Sequence, residues 1–180
     1  MQSPIQAYLE NLHGRLAGLS AGEVATYIPE LSKANPEWFG ICLVTMDGQV
    51  YSVGDTDQHF TIQSISKPFV YAKALADRGW RYVTSKVGVE PSGDAFNSIS
   101  LDPLTGAPLN PMINAGAIAT ASLIEGADPA AQWQRIAACM EDFIGHPVTV
   151  DEGVYRSESE TGYRNRAIAW MLKNFGIIDG

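Results

Sequence analysis

The tightest constraint on this chain is the imbalance between its helical and strand-like patterns. Six or seven capped or amphipathic helical stretches accompany only two or three short apolar, strand-like runs. A sheet that small does not stand alone in water. It needs helices packed on one face, and its open edge needs covering. The expected class is therefore α+β, with helices packed on a small antiparallel sheet. The length suits one domain, spanning residues 1–180, with a sizeable core.

Local signals place the elements. Ser3-Pro4 opens a helix with Ile5, Tyr8, Leu9, Leu12 and Leu16 on one face. Ser20 and Glu23 fit a capping box for a short second helix, which Pro29 would bend or end. Residues 39–45 read as a strand, Asp47-Gly48 as a hairpin turn and 50–53 as the returning strand. Residues 60–62 would start or join a third. A helix then runs through Tyr71, Ala74 and Leu75 towards Gly79. Four prolines and two glycines in EPSGDAFNSISLDPLTGAPLNP make residues 89–111 irregular. Such long segments in compact domains are often functional. Residues 114–125 read as a close-packed helix of small residues. Asp128-Pro129 caps another helix reaching Phe143. Residues 151–160 are polar and ambiguous, and 163–175 form a last helix stopped by Gly176.

Charge and composition narrow the function. Hydrophobic residues make up 46% and charged residues 18%, a globular composition. The formal net charge of −8 disfavours nucleic acid and anionic membranes as partners, since both require basic surface. The first residues carry neither a basic nor an apolar signal-peptide region, and no apolar run reaches membrane-span length. Cys42 and Cys139 lie far apart and form no CxxC pair, so both are expected to be buried reduced thiols. A cytoplasmic protein is the expectation. His13, His59 and His146 are scattered, and no metal-ligand cluster is present in the sequence.

The chemical signal is Ser64 and Lys67 in FTIQSISKPF, at an apparent strand-to-helix junction. With Ser64 as N-cap, Lys67 would be the third helical residue on the same side, and Pro68 would fall harmlessly in the first turn. A serine hydroxyl needs a base within hydrogen-bond reach, and a neutral lysine can serve. Burial and the positive end of the helix dipole both push a lysine towards neutrality. The tetrapeptide alone is common, and Ser64 as a plain helix cap is the competing reading. His59 is the other nearby base, but strand geometry fixes no contact between it and Ser64.

The surrounding segments carry more information than the tetrapeptide. YIPEL (27–31), TMDGQVYSVGD (45–55), FTIQSISK (60–67), VGVEPSGDAFNS (87–98), NPMINAGAI (110–118) and RSESETGYRNRAIAW (156–170) resemble, in order and spacing, the serine-dependent glutaminases. That family is related to the β-lactamase and penicillin-binding fold. The resemblance covers nearly the whole chain from about Val24 onward and marks it as the N-terminal portion of such a domain. It implies hydrolysis of L-glutamine to L-glutamate and ammonia, a β-lactamase-like fold and a homo-oligomer, dimer or tetramer; that chemistry requires no metal or organic cofactor.

By position, the resemblance makes Ser64 the nucleophile and Lys67 its base. Tyr27, Gln63, Asn114, Glu158 and Asn165 fall where the family contacts substrate. The chemistry of glutamine agrees with that set. An acid suits the α-ammonium, and neutral donors suit the α-carboxylate. Outside the family pattern, each has a plain reading: Glu158 a solvated acid, Asn114 a helix cap, Asn165 a surface residue, Tyr27 a half-buried aromatic. The family also has later tyrosines and a lysine- and glycine-rich strand that completes the sheet and the oxyanion hole, and these are not found in the 180 residues. The alternatives are another S-x-x-K hydrolase of the β-lactamase or penicillin-binding type, or a catalytically inactive glutamine-binding fragment.

Overall fold

The structure is a computed structural model describing residues 2–95 and 97–179. Phe96, within one of the family-like segments, lies outside the described residues. The chain divides into two compact units. One comprises the segment through Thr61 together with Glu152–Glu158; the other comprises Ile62–Asp151 and the segment from Ser159 onward.

In the first unit, α1 (Pro4–Leu16) begins with a proline, whose fixed φ and missing N–H suit a first turn. It packs on a hairpin of β1 (Gly40–Val44) and β2 (Val50–Gly54). The register pairs Ile41 with Val53, Cys42 with Ser52 and Leu43 with Tyr51. The turn between them closes through Thr45, whose N–H donates to the Gln49 carbonyl at 3.0 Å. Gly48 takes φ +83°, which is why glycine stands there. Ile41, Tyr51 and Val53 are half-buried, while Cys42, Val44 and Val50 are exposed. Side chains alternate across a strand, and the face bearing Cys42 is the uncovered one. Cys42 is thus an exposed thiol and not the buried one its apolar neighbours suggested; Cys139 is part-buried.

Two further expectations in this unit are corrected. No helix follows Ser20. Instead, a 3-10 turn runs Pro29–Lys33 with Pro29 as its first residue. The eight residues ahead of Pro29 include Gly22 and the β-branched Val24 and Thr26, too short and too poor in helix formers to nucleate. Residues 60–62 form no third strand. Ile62 already has helical angles, φ −61° and ψ −29°, and leads into the next element.

The second unit is helical: α2 (Ser66–Arg78), α3 (Trp80–Lys86), α4 (Asn114–Ser122), α5 (Pro129–Ile144) and α7 (Tyr163–Asn174). Between the last two, α6 (Glu152–Thr161) spans the boundary of the two units and resolves the ambiguous polar stretch as a helix. The short α3 was not anticipated; Gly79, at φ +77°, ends α2 and immediately starts it. Asp128 caps α5 as expected, its carboxylate accepting from the Ala131 N–H at 2.8 Å.

The small residues of α4 let it sit at the centre. Ala115, Gly116, Ala119 and Thr120 are all buried. Ala115 and Ala119 pack with Val87, Ile113, Ile168, Leu172 and Ile177. Beyond the end of α4, Leu123 and Ile124 pack with Ala74 of α2 and Val83 of α3. Asp77, its side chain 4% exposed, ties this second cluster together. It accepts from Lys73 at 2.6 Å, from Arg135 at 2.6 Å and from the Glu125 N–H at 3.1 Å. Among the described residues, no helix is long and apolar enough to cross a membrane.

Candidate active site

Ser64 stands in a 3-10 turn, Gln63–Ile65, and α2 begins at Ser66 behind Ile65. Ser64 is therefore not an α-helix cap, and Lys67 is the second residue of α2 rather than the third. The reason lies one residue earlier. Gln63 takes φ +44°, the left-handed region that non-glycine residues rarely occupy. A residue held there costs of order 1 kcal/mol, and such strain clusters at functional sites. The Ser66 hydroxyl donates to the Gln63 carbonyl at 2.8 Å and helps hold the turn. Ser64 itself is exposed.

Lys67 reaches α4. Its Nζ donates to Asn114 Oδ1 at 2.8 Å and to the Met112 carbonyl at 3.0 Å. Asn114 in turn donates through Nδ2 to Asn165 Oδ1, in the first turn of α7, at 3.2 Å. One chain of hydrogen bonds thus runs from α2 through α4 to α7. Burial holds the Lys67 ammonium below its ordinary pKa of 10.5. Asn114 is the first residue of α4, with Ile113 as the cap, so its side chain is free of capping and serves Lys67 and Asn165.

The structure thus brings Lys67, Asn114 and Asn165 into one network, with Gln63 and Ser64 on the turn that leads into α2. All five lie in the second unit. Tyr27 and Glu158, both exposed, belong to the first. There the Glu30 N–H donates to Ser157 Oγ at 3.2 Å, tying the turn after Tyr27 to α6 one residue before Glu158. Among the described residues, no group of three or more His, Cys, Asp and Glu side chains gathers to hold a metal.

Sequence reasoning did not find the Met112 carbonyl. A backbone acceptor leaves no residue-type signal. The close fit around it does leave one. A Cβ on Gly116 would lie 1.9 Å from the Asn110 carbonyl oxygen, so only glycine lets the 110–113 segment lie on α4. Gly116→Ala is expected to destabilise the protein by about 1–3 kcal/mol. Chemical denaturation beside the wild type measures the effect.

Comparison with known proteins decides the family. The Glutaminase family profile matches residues 22–180. The chain belongs to the glutaminase family. A glutaminase of Trichormus variabilis is 54% identical over 177 residues, covering 98% of this chain and 53% of its own length. A glutaminase of Microcystis aeruginosa is 50% identical over 175 residues, covering 97% of this chain and 52% of its own. The chain therefore spans about half the length of these curated relatives. Among solved structures, Mglu in its tris and glutamate form superposes with TM-score 0.93 at 43% identity, over 100% of this chain and 40% of that one. A probable glutaminase from Bacillus subtilis complexed with 6-diazo-5-oxo-L-norleucine gives 0.85 at 36% identity, over 99% of this chain and 54% of its own. The α+β glutaminase fold expected from the sequence is thus the fold this part of the family adopts.

Proposed function

We propose that this glutaminase chain hydrolyses L-glutamine to L-glutamate and ammonia through a Ser64 acyl-enzyme. The observation that carries the reading is the Lys67–Asn114–Asn165 network, with Lys67 depressed in pKa by burial and placed three residues after an exposed serine. Neutral Lys67 takes the Ser64 proton as Oγ attacks the side-chain amide carbon. The proton passes to the leaving nitrogen, and ammonia departs. Water then cleaves the γ-glutamyl ester and restores the serine. The Ser64 N–H contributes to the oxyanion site. Glu158 receives the α-ammonium; Tyr27, Gln63, Asn114 and Asn165 supply neutral polar groups to the rest of the amino acid. No metal or cofactor enters this chemistry. We place the protein in the cytoplasm, with residues 1–180 as the N-terminal portion of one glutaminase domain, assembled as a homo-oligomer.

Trapping the nucleophile tests the reading. The diazoketone 6-diazo-5-oxo-L-norleucine is incubated with the 180-residue chain, and its peptides are mapped by mass. Modification at Ser64 is expected, with none in Ser64→Ala. Modification at a different residue would remove Ser64 from the nucleophile's role. Acylation of Ser64 by a β-lactam in preference would favour the other S-x-x-K hydrolases.

A further inference from the structure

The hydrogen bonds around Lys67 depend on a residue outside the set above. Asn110 lies at the end of the irregular segment and uses both ends of its amide. Its Oδ1 accepts from the Met112 N–H at 3.0 Å and the Ile113 N–H at 3.3 Å. Its Nδ2 donates to the Glu90 carbonyl at 3.1 Å. The Asn110 backbone is fixed as well, since its carbonyl oxygen occupies the space that any Cβ on Gly116 would need.

Peptide planarity makes the second of these bonds consequential. The Met112 carbonyl and the Ile113 N–H belong to one peptide unit and point in opposite directions. Asn110 grips that unit by its N–H, and Lys67 donates to it from the other side. Met112 and Ile113 also line an open groove of about 620 Å³ with Tyr71 and Val89, so solvent is at hand should the unit rotate. We infer that Asn110 is a positioning residue for the proposed base: by fixing the rotation of the Met112–Ile113 peptide, it aims the Met112 carbonyl at Lys67 Nζ and keeps the amine in place for Ser64. The inference rests on the glutaminase reading for its catalytic meaning and on hydrogen-bond geometry alone for its structural content. It also links Glu90, at the start of the irregular segment, to the base through one side chain.

The test is a titration that needs no turnover. The 180-residue chain is labelled with 13C at lysine Cε, Lys67 is assigned with Lys67→Arg, and its midpoint is followed by NMR in the wild type, Asn110→Ala, Asn110→Ser and Asn110→Asp. A carbonyl facing an amine favours the ammonium. Its loss in Asn110→Ala is expected to lower the Lys67 midpoint by roughly one pH unit. Asn110→Ser, whose hydroxyl reaches fewer N–H groups, falls between and serves if the alanine variant does not fold. Asn110→Asp keeps the accepting oxygen, adds a negative charge and stays at or above the wild type. In turnover, Asn110→Ala is expected to lose roughly 10-fold or more in kcat with KM within about threefold. Its acid limb should also move to lower pH, which a merely loosened fold would not produce. An unchanged or raised Lys67 midpoint in Asn110→Ala overturns the inference, whatever glutamine assays show.

Discussion

Lys67→Ala will lower glutamine turnover by about 10²- to 10⁴-fold, the usual contribution of a positioned base. The pH dependence carries the sharper signature. As the proposed base, Lys67 would act only when neutral, and burial has already lowered its pKa below 10.5. Wild-type rate should therefore rise with pH as Lys67 loses its proton, and this limb should vanish in the variant. Linkage gives the same residue a second effect. Its folded pKa is below the unfolded value, so the unfolded chain binds more protons between the two. Wild-type stability is expected to rise with pH across that window, and Lys67→Met should flatten the rise. Urea midpoints taken at several pH values beside the rate profile check both. A pH-independent rate in the wild type would mean that Lys67 is not the base.

Asp77→Ala is the other large expected effect, and it falls on stability alone. The carboxylate is buried between α2 and α5, so removing it takes the acceptor from Lys73 and from the Glu125 N–H and leaves Arg135 with only the 4.0 Å pairing to Glu125. Both cations retain some exposure, which moderates the penalty to about 2–3 kcal/mol. Burial by itself would raise the Asp77 pKa, but the bonds from Lys73, the Glu125 N–H and Arg135 together hold it below the ordinary 3.8. A carboxyl depressed in the folded state stabilises above its unfolded pKa. That contribution is lost as pH falls through the folded pKa. The gap between wild type and Asp77→Ala in guanidinium midpoint should thus be full near neutrality and close below about pH 3.8. A constant gap down to acid would mean that the loss is one of packing, not charge.

These two residues show what the sequence disclosed and what it did not. Ser64 and Lys67 were visible because a serine and a lysine three apart near a helix start have a chemical meaning. The setting was misjudged by a turn. Nothing in FTIQSISKPF announces that Gln63 will take a left-handed φ and insert a 3-10 turn before α2. The hairpin was legible because Asp47-Gly48 is a local device, and α5 was legible because Asp128-Pro129 is another. Asp77 was not singled out. Its partners come from positions 73, 125 and 135, and only packing brings these together. The exposure of Cys42 is of the same kind: an apolar run does not say which face of a hairpin a helix will cover. Asn114 was named through the family pattern, yet its link to Lys67 is a tertiary contact across 47 positions.

The most direct test of serine catalysis is ammonia release from L-glutamine by the 180-residue chain, measured beside Ser64→Ala. Release by the wild type that disappears in Ser64→Ala is the expected result. Release by neither would mean that the residues gathered here do not suffice for turnover. Equal release by both would contradict the assignment of Ser64 as the nucleophile, and with it the role given to Lys67.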